Sequence, residues 1–523
     1  MYLIITASKD AYITNKIIGG VLSASDANTG RAATMDLFKL YNESVMSGTT
    51  NPIELSRALF KFDYTKIRNL TGTILDLNDS SFECRLEMFD IMGGQVTPTN
   101  FNLILFPLSQ SFDEGIGRDV IAFSDLDACN FITASYSNGT NNLWNTVGAN
   151  AEGMLSASSI DIMVSGNLSD GSGYRGLGVS QKFVEGSENL NMNVTTLVSA
   201  SIAGVMSDHG FRLSFTGSEE TDTKTRFVKR FASRHVRNPN LRPRIVVSFD
   251  DTRFDDHQNF FFDLTGSLFL ENYHRGTRAN ILSGTSATAL SGEDCMIVKL
   301  QTGSFIQYFT ASQYQAGTKS STTGKNYLSG VYVATGAVTS MTSAIVIGSG
   351  SDAASVTMFA QKSGSLTFDE YWTNAGGSVG FYTGSFKVST PGRSSFDATQ
   401  RDIQFTVTNA RSVYRQSERV KFRVFARDLN ADAKASKLPI RLKSIVLNEA
   451  YYRIKDAQDG KIIVPFLKAN NGTRLSYDSA GMYFEMFMDV LPIGRTYTLE
   501  FLVIDRGIEL VKEAKETMFR VDP

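Results

Sequence analysis

The residue groups that could carry catalysis are few. Gly376-Gly377-Ser378-Val379-Gly380 has the GxSxG pattern of a nucleophile elbow, which needs a strand, a strained turn and then a helix to expose the serine. Here the segment continues GFYTGSFKV, without helical periodicity, so it reads as a Gly-rich hairpin loop. The stretch around Lys325, GTKSSTTGKN, resembles a phosphate loop. The interval from Gly317 to Gly324 is too long, however, and Asn326 stands where a Ser or Thr would hold magnesium. His209, His235, His257 and His274 form neither HxxxH nor HExxH, and Cys84, Cys129 and Cys295 show no CxxC or Cys/His spacing. The expectation is structural or surface-exposed histidines and three buried thiols of a chain made in a reducing cytosol.

Hard oxygen ligands are more plentiful. Asp76 and Asp79, Asp125 and Asp127, Asp250 and Asp251, and Asp255 and Asp256 are close carboxylate pairs of the kind that can hold Ca²⁺ with loop carbonyls. No twelve-residue EF-hand pattern accompanies them, and the same residues cap turns. Calcium is carried as the one conceivable cofactor, with no ligand set assigned; no catalytic or cofactor-binding residue is assigned either.

Basic residues gather at Lys229-Arg230-Phe231-Ala232-Ser233-Arg234-His235-Val236-Arg237. Interleaved aromatic and basic residues can bind nucleic acid. The alternative is a strand that buries Phe227, Lys229 and Phe231 on one face, with the upstream Glu219-Glu220-Thr221-Asp222 neutralising the patch. Charge balance favours the strand, because 51 Lys+Arg stand against 53 Asp+Glu over the chain. A nucleic-acid partner is therefore not expected.

The elements that must position these residues are mostly strands. Ser56–Asp63, Phe101–Phe106, Phe211–Phe215 and Arg244–Phe249 are short apolar or alternating runs between turn-rich segments. Arg419–Val424 alternates strictly, placing Val420, Phe422 and Val424 on a core face and the cations toward water. Tyr497–Asp505 behaves alike. MYLIITASKDAY reads as a strand with neither leader nor cleavage pattern, and no run reaches the length of a membrane helix. Helical signals are confined to Asn191–Ala203 and Asn430–Lys437. With 36 Phe, 19 Tyr, 43 Gly and 10 Pro, the composition suits pleated surfaces joined by tight turns.

At 523 residues the chain predicts several domains. A β-sandwich is expected over 1–250. A Gly/Ser/Thr-rich β-domain follows over 251–395, with strands such as SAIVIG and VTMFAQ. The turn at Pro391-Gly392 then leads to a more charged β-sandwich over 396–523. The fold class is all-β: a jelly-roll-like sandwich followed by immunoglobulin-like β-domains.

The first 250 residues resemble the DNRLRE-type β-sandwich family. Asp10-Ala11-Tyr12-Ile13, Ala27-Asn28-Thr29-Gly30 and Met35-Asp36-Leu37-Phe38 are similar to its first strands, and Arg57–Asp63 to its "RALLRFD" strand. Asn193–Val198, His209–Leu213, Phe231–Arg234 and Arg242–Ile245 follow in the family's order, with Asn193 replacing Asp and His209 replacing Asn. FDEGIGRDV (Phe112–Val120) and FVKRFASRH resemble structural proteins of tailed-phage virions. That resemblance implies a non-enzymatic virion component made in the host cytoplasm and docking other virion proteins in several symmetric copies. The tail, baseplate or fibre-attachment region is the favoured place, and the neck or capsid surface comes next. Two other classes stay open. A glycan-binding host-recognition adhesin predicts surface aromatics such as Trp144 or Trp372, and a polysaccharide depolymerase predicts two carboxylates across a cleft.

Overall fold

The computed structural model describes all residues except 45–47, 49, 72–73, 122–126, 151, 155–159, 168–172, 176, 285–286, 316–326, 340–345, 348–353, 356–363, 391–400, 431–443 and 506. The chain is all-β and divides into two compact units. One comprises Leu3–Arg68 and Glu83–Ser248; the other comprises Met1–Tyr2, Asn69–Phe82 and Phe249–Pro523.

In the N-terminal unit, Tyr2–Thr14 pairs antiparallel with Ile53–Phe62, which carries Phe211–Phe215, then Phe101–Pro107, then Val179–Phe183. On the other flank of Tyr2–Thr14 lie Arg244–Ser248, Glu83–Met88 and Leu190–Asn193. Thr34–Tyr41 bridges Arg226–Ala232 and Ile53–Phe62. Alternation drives these pairings: Phe101–Pro107 and Glu83–Met88 bury every second residue. The buried side chains meet in aromatic contacts, including stacked Phe101 and Phe183 with ring centres 5.0 Å apart.

The C-terminal unit begins with a seven-stranded sheet. Its order is Phe260–Phe261, Gly380–Ser389, Ser365–Asn374, Met296–Thr302, Phe305–Gln315, Tyr327–Ala337 and Thr265–Glu271. Trp372, Tyr332 and Phe368 are central in its core. Two further sheets follow. Ile403–Val407, Arg419–Asp428, Gly481–Phe487 and Ser476–Asp478 form one; Val413–Arg415, Ile508–Asp522, Thr496–Asp505, Ala450–Asp456 and Ile462–Val464 form the other. Rings from both meet face to face, Phe405 on Phe501 at 4.9 Å and Tyr452 on Phe484 at 4.1 Å, which makes this region a β-sandwich.

Several expectations need correction. The helix in Asn191–Ala203 spans Thr195–Ile202 only, because Leu190–Asn193 is held as a strand against Glu83–Met88. In Arg226–Ala232 the register shifts between Arg226 and Lys229, so Lys229 and Phe231 are buried while Phe227 is left exposed. Val420, Phe422 and Val424 are buried as the alternation requires. Lys421 and Arg423, however, are half-buried against the Tyr483 ring and paired with Asp478 rather than free in water. Cys84 and Cys129 are buried, whereas Cys295 is only half-buried. The GTKSSTTGKN loop beyond Ala316, VTMFAQ, Asp125, Pro391-Gly392 and residues 431–437 lie outside the described residues; within SAIVIG only Val346–Ile347 is described, as a strand.

Candidate functional site

Segments far apart in sequence converge around Asp10 in the N-terminal unit. An extra residue bulges Tyr2–Thr14 between Ala7 and Lys9, which changes the strand's facing just before Asp10. Beyond the bulge, Thr29 docks on the strand: its hydroxyl accepts from the Tyr12 amide at 3.0 Å and donates to the Tyr12 carbonyl at 2.6 Å. Asn28 uses its whole side-chain amide. Its Nδ2 donates to the carbonyls of Glu114 and Cys129, both at 2.8 Å, and its Oδ1 accepts from the amides of Gly30 at 3.1 Å and Gly117 at 2.8 Å. Both glycines are required by close approach. A Cβ on Gly30 would stand 1.8 Å from the Glu114 carbonyl oxygen, and one on Gly117 would stand 2.1 Å from that of Asn28.

This frame presents Glu114 to Asp10, Arg234 and His235. Glu114 Oε1 accepts from the Asp10 amide at 2.9 Å and from Arg234 Nε, and it lies 3.3 Å from His235 Nε2; Oε2 accepts from Arg234 Nη2 at 3.0 Å. The Asp10 carboxylate accepts from the Arg234 amide. Burial pushes the Asp10 carboxyl up to about 7; the Arg234 amide opposes the rise and the neighbouring Glu114 charge adds to it.

Two carboxylates and an imidazole within 4.8 Å of one another are a conceivable cation cluster. The donors do not fit one well. Both oxygens of Glu114 already receive the Arg234 guanidinium, so a dication would sit against a fixed positive charge with one carboxylate committed elsewhere. The arrangement is a closed clasp that ties the start of the chain to residues near 114 and 234. Of the acid pairs named from sequence, Asp76/Asp79, Asp250/Asp251 and Asp255/Asp256 act in hydrogen-bonded turns or ion pairs. Asp76 and Asp79 accept amides two residues onward, Asp250 accepts from Thr252, Asp255 from His257 and Asp256 from Ser267.

Three cations of the basic segment, and Arg244 on the strand that follows, are neutralised one at a time: Lys229 by Asp90, Arg230 by Asp36 through two hydrogen bonds, Arg234 by Glu114 and Arg244 by Glu87. Of the upstream acidic run, Asp222 takes Arg226 and the buried Lys39, and Glu220 takes Arg57. The expected neutralisation of the cluster by that run is thus corrected, since the partners come mainly from distant strands. Ser378 lies in the turn between antiparallel Ser365–Asn374 and Gly380–Ser389, hydrogen-bonded to the Asn374 side chain, with no helix behind it.

Trp144 and Trp372 are both buried. Their indole N–H groups donate to the Asn130 carbonyl at 2.9 Å and to Glu370 at 3.1 Å, so neither forms the surface platform an adhesin was expected to show. His257 is structural, but the sequence did not show its setting. Its Nδ1 faces Asp255 and its Nε2 lies 3.0 Å from Glu370. Burial opposes the charged imidazolium, but these two acids raise its pKa to about 10. The Asp255 spacing was visible as a turn signal; Glu370, over a hundred residues away, left no trace.

No family model matches the chain, and no curated protein matches it. Among solved structures, a chain provisionally described as a membrane anchored protein from Corynebacterium diphtheriae aligns with 10% identity. The alignment covers 100% of this chain and 97% of that one, at a TM-score of 0.12, too low to carry an argument.

Proposed function

We propose that this chain is a structural component of a tailed-phage virion that works by docking other virion proteins, with the tail, baseplate or fibre-attachment region favoured over the neck or capsid surface. One observation carries the reading. The segments that resemble the DNRLRE-type sandwich and virion proteins, from Asp10 through Asn28 and Phe112–Val120 to Arg234, meet in a single interlocked clasp, as parts of one inherited module would. The site chemistry agrees with a scaffold: the clasp's acids are engaged by backbone amides or Arg234, which favours rigidity over turnover. A depolymerase needs a carboxyl kept protonated near neutrality. Glu271 and Asp478, which line a charged cleft of the C-terminal unit, are held the other way. Burial works to raise each, but Arg253 holds Glu271 down to about 2, and Arg423 with Lys421 lowers Asp478.

The test is a cryo-electron map of purified particles from cells that express this gene. Density for the chain in symmetric copies, contacting partners over surfaces above roughly 1,000 Å², is the expected result. Particles that lack the chain while it remains free in the lysate would overturn the reading.

A further inference from the structure

A second feature stands apart from the clasp. In the C-terminal unit a pocket of about 380 Å³ opens between Thr265–Glu271, the Arg419–Asp428 strand and the Ser476–Asp478 edge. Its volume is that of a small-molecule site holding a sugar unit. Four tyrosines line it. Tyr477 and Tyr483 are buried in its wall, while Tyr273 and Tyr382 stand about half exposed at its rim.

Among the described residues, every fixed charge lining the pocket is already answered within 4 Å. Lys421 and Arg423 reach Asp478 at 3.0 and 2.5 Å; Arg253 pairs with Glu271 and, at 3.7 Å, with Glu485; His257 lies between Asp255 and Glu370. This pairing selects a class of ligand. An anion or cation entering here would have to break an ion pair in a partly desolvated setting, at a cost its own contacts would only repay. A hydroxyl group both donates and accepts, so it can bridge a cation and its carboxylate without separating them. Half-exposed tyrosine faces meanwhile suit the C–H face of a saccharide ring.

We propose that this pocket binds a neutral sugar unit of a glycan, with Tyr382 stacking on the ring and the Lys421/Arg423–Asp478 pairs taking its hydroxyls. The inference holds or fails independently of the virion reading, because it rests on residues outside the clasp.

Saturation-transfer NMR on the full chain tests it, with the methyl glycosides of glucose, galactose and N-acetylglucosamine as probes and methyl glucuronide as the charged control. At least one neutral glycoside is expected to bind saturably and better than the glucuronide. Tyr382→Ala should weaken it about tenfold, and Asp478→Asn should also weaken it. Tyr308→Ala, at an exposed tyrosine outside the pocket, should leave it unchanged. Tyr382→Phe keeps the ring and should retain binding, which separates stacking from misfolding. The proposal is overturned if no neutral glycoside saturates, if the glucuronide alone binds, or if neutral binding survives both Tyr382→Ala and Asp478→Asn.

Discussion

Paired charge is the recurring device of single residues here. Arg57 and Glu220 are both buried and joined by two hydrogen bonds of 2.9 and 2.7 Å. Replacing Glu220 by Gln leaves a guanidinium with half its partner gone, and the expected loss is ~3–5 kcal/mol of unfolding free energy, read as a lower urea midpoint. The double replacement Arg57→Met with Glu220→Leu should recover much of it, since no buried charge is then stranded. Asp10 and His257 each contribute a pH dependence that a single replacement can isolate. Asp10 titrates near 3.8 unfolded and about 7 folded, so the folded state holds the extra proton between those values. Its contribution is fully present below about 3.8 and is lost as pH rises through 7, and Asp10→Asn should flatten urea midpoints across that window. The His257 pKa is raised from 6.5 to about 10, so its contribution is complete below 6.5 and disappears as pH rises through 10. Nitrogen-15 shifts of its ring should still report an imidazolium at pH 8; a neutral ring there would refute the assignment.

Elements were legible where their pattern is local. Arg419–Asp428 and Phe101–Pro107 announce their buried faces through period-2 alternation, because neighbouring side chains on a strand must point to opposite sides whatever lies across from them. Phe422 should therefore behave as a core anchor: it stacks on Phe484 at 5.0 Å and meets Tyr414 and Phe519. Phe422→Ala is expected to cost ~3–5 kcal/mol, while Met518→Ala on the exposed face of Ile508–Asp522 should stay within ~0.5 kcal/mol, both by thermal unfolding. Partners set by distant segments were not legible. Lys421 and Arg423 alternate like solvent-facing residues, and only the folded chain brings Asp478 and Tyr483 against them. Phe227 was misplaced for a related reason, since a register shift leaves no mark in composition. The clasp was half visible: the segments holding Asp10, Asn28, Glu114 and Arg234 stood out as resemblances, but nothing in their spacing showed that these side chains meet.

At the scale of the molecule, the two units are not consecutive in sequence. Residues 69–82 leave the N-terminal stretch to belong with Phe249–Pro523, and they carry Leu75 and Phe82, both buried. A fragment of residues 249–523 lacks those anchors, each worth ~1.5–3 kcal/mol when buried. Calorimetry should find it melting below the corresponding transition of the intact chain, whereas equal melting would show that residues 69–82 add nothing. The same interleaving bears on inheritance. Genes that exchange modules do so cleanly only where one crossover separates two self-sufficient pieces, and a crossover near residue 250 would leave the unit built on Phe249–Pro523 without its own residues 69–82. The two units should accordingly travel together through recombination, as one heritable block rather than as beads on a string.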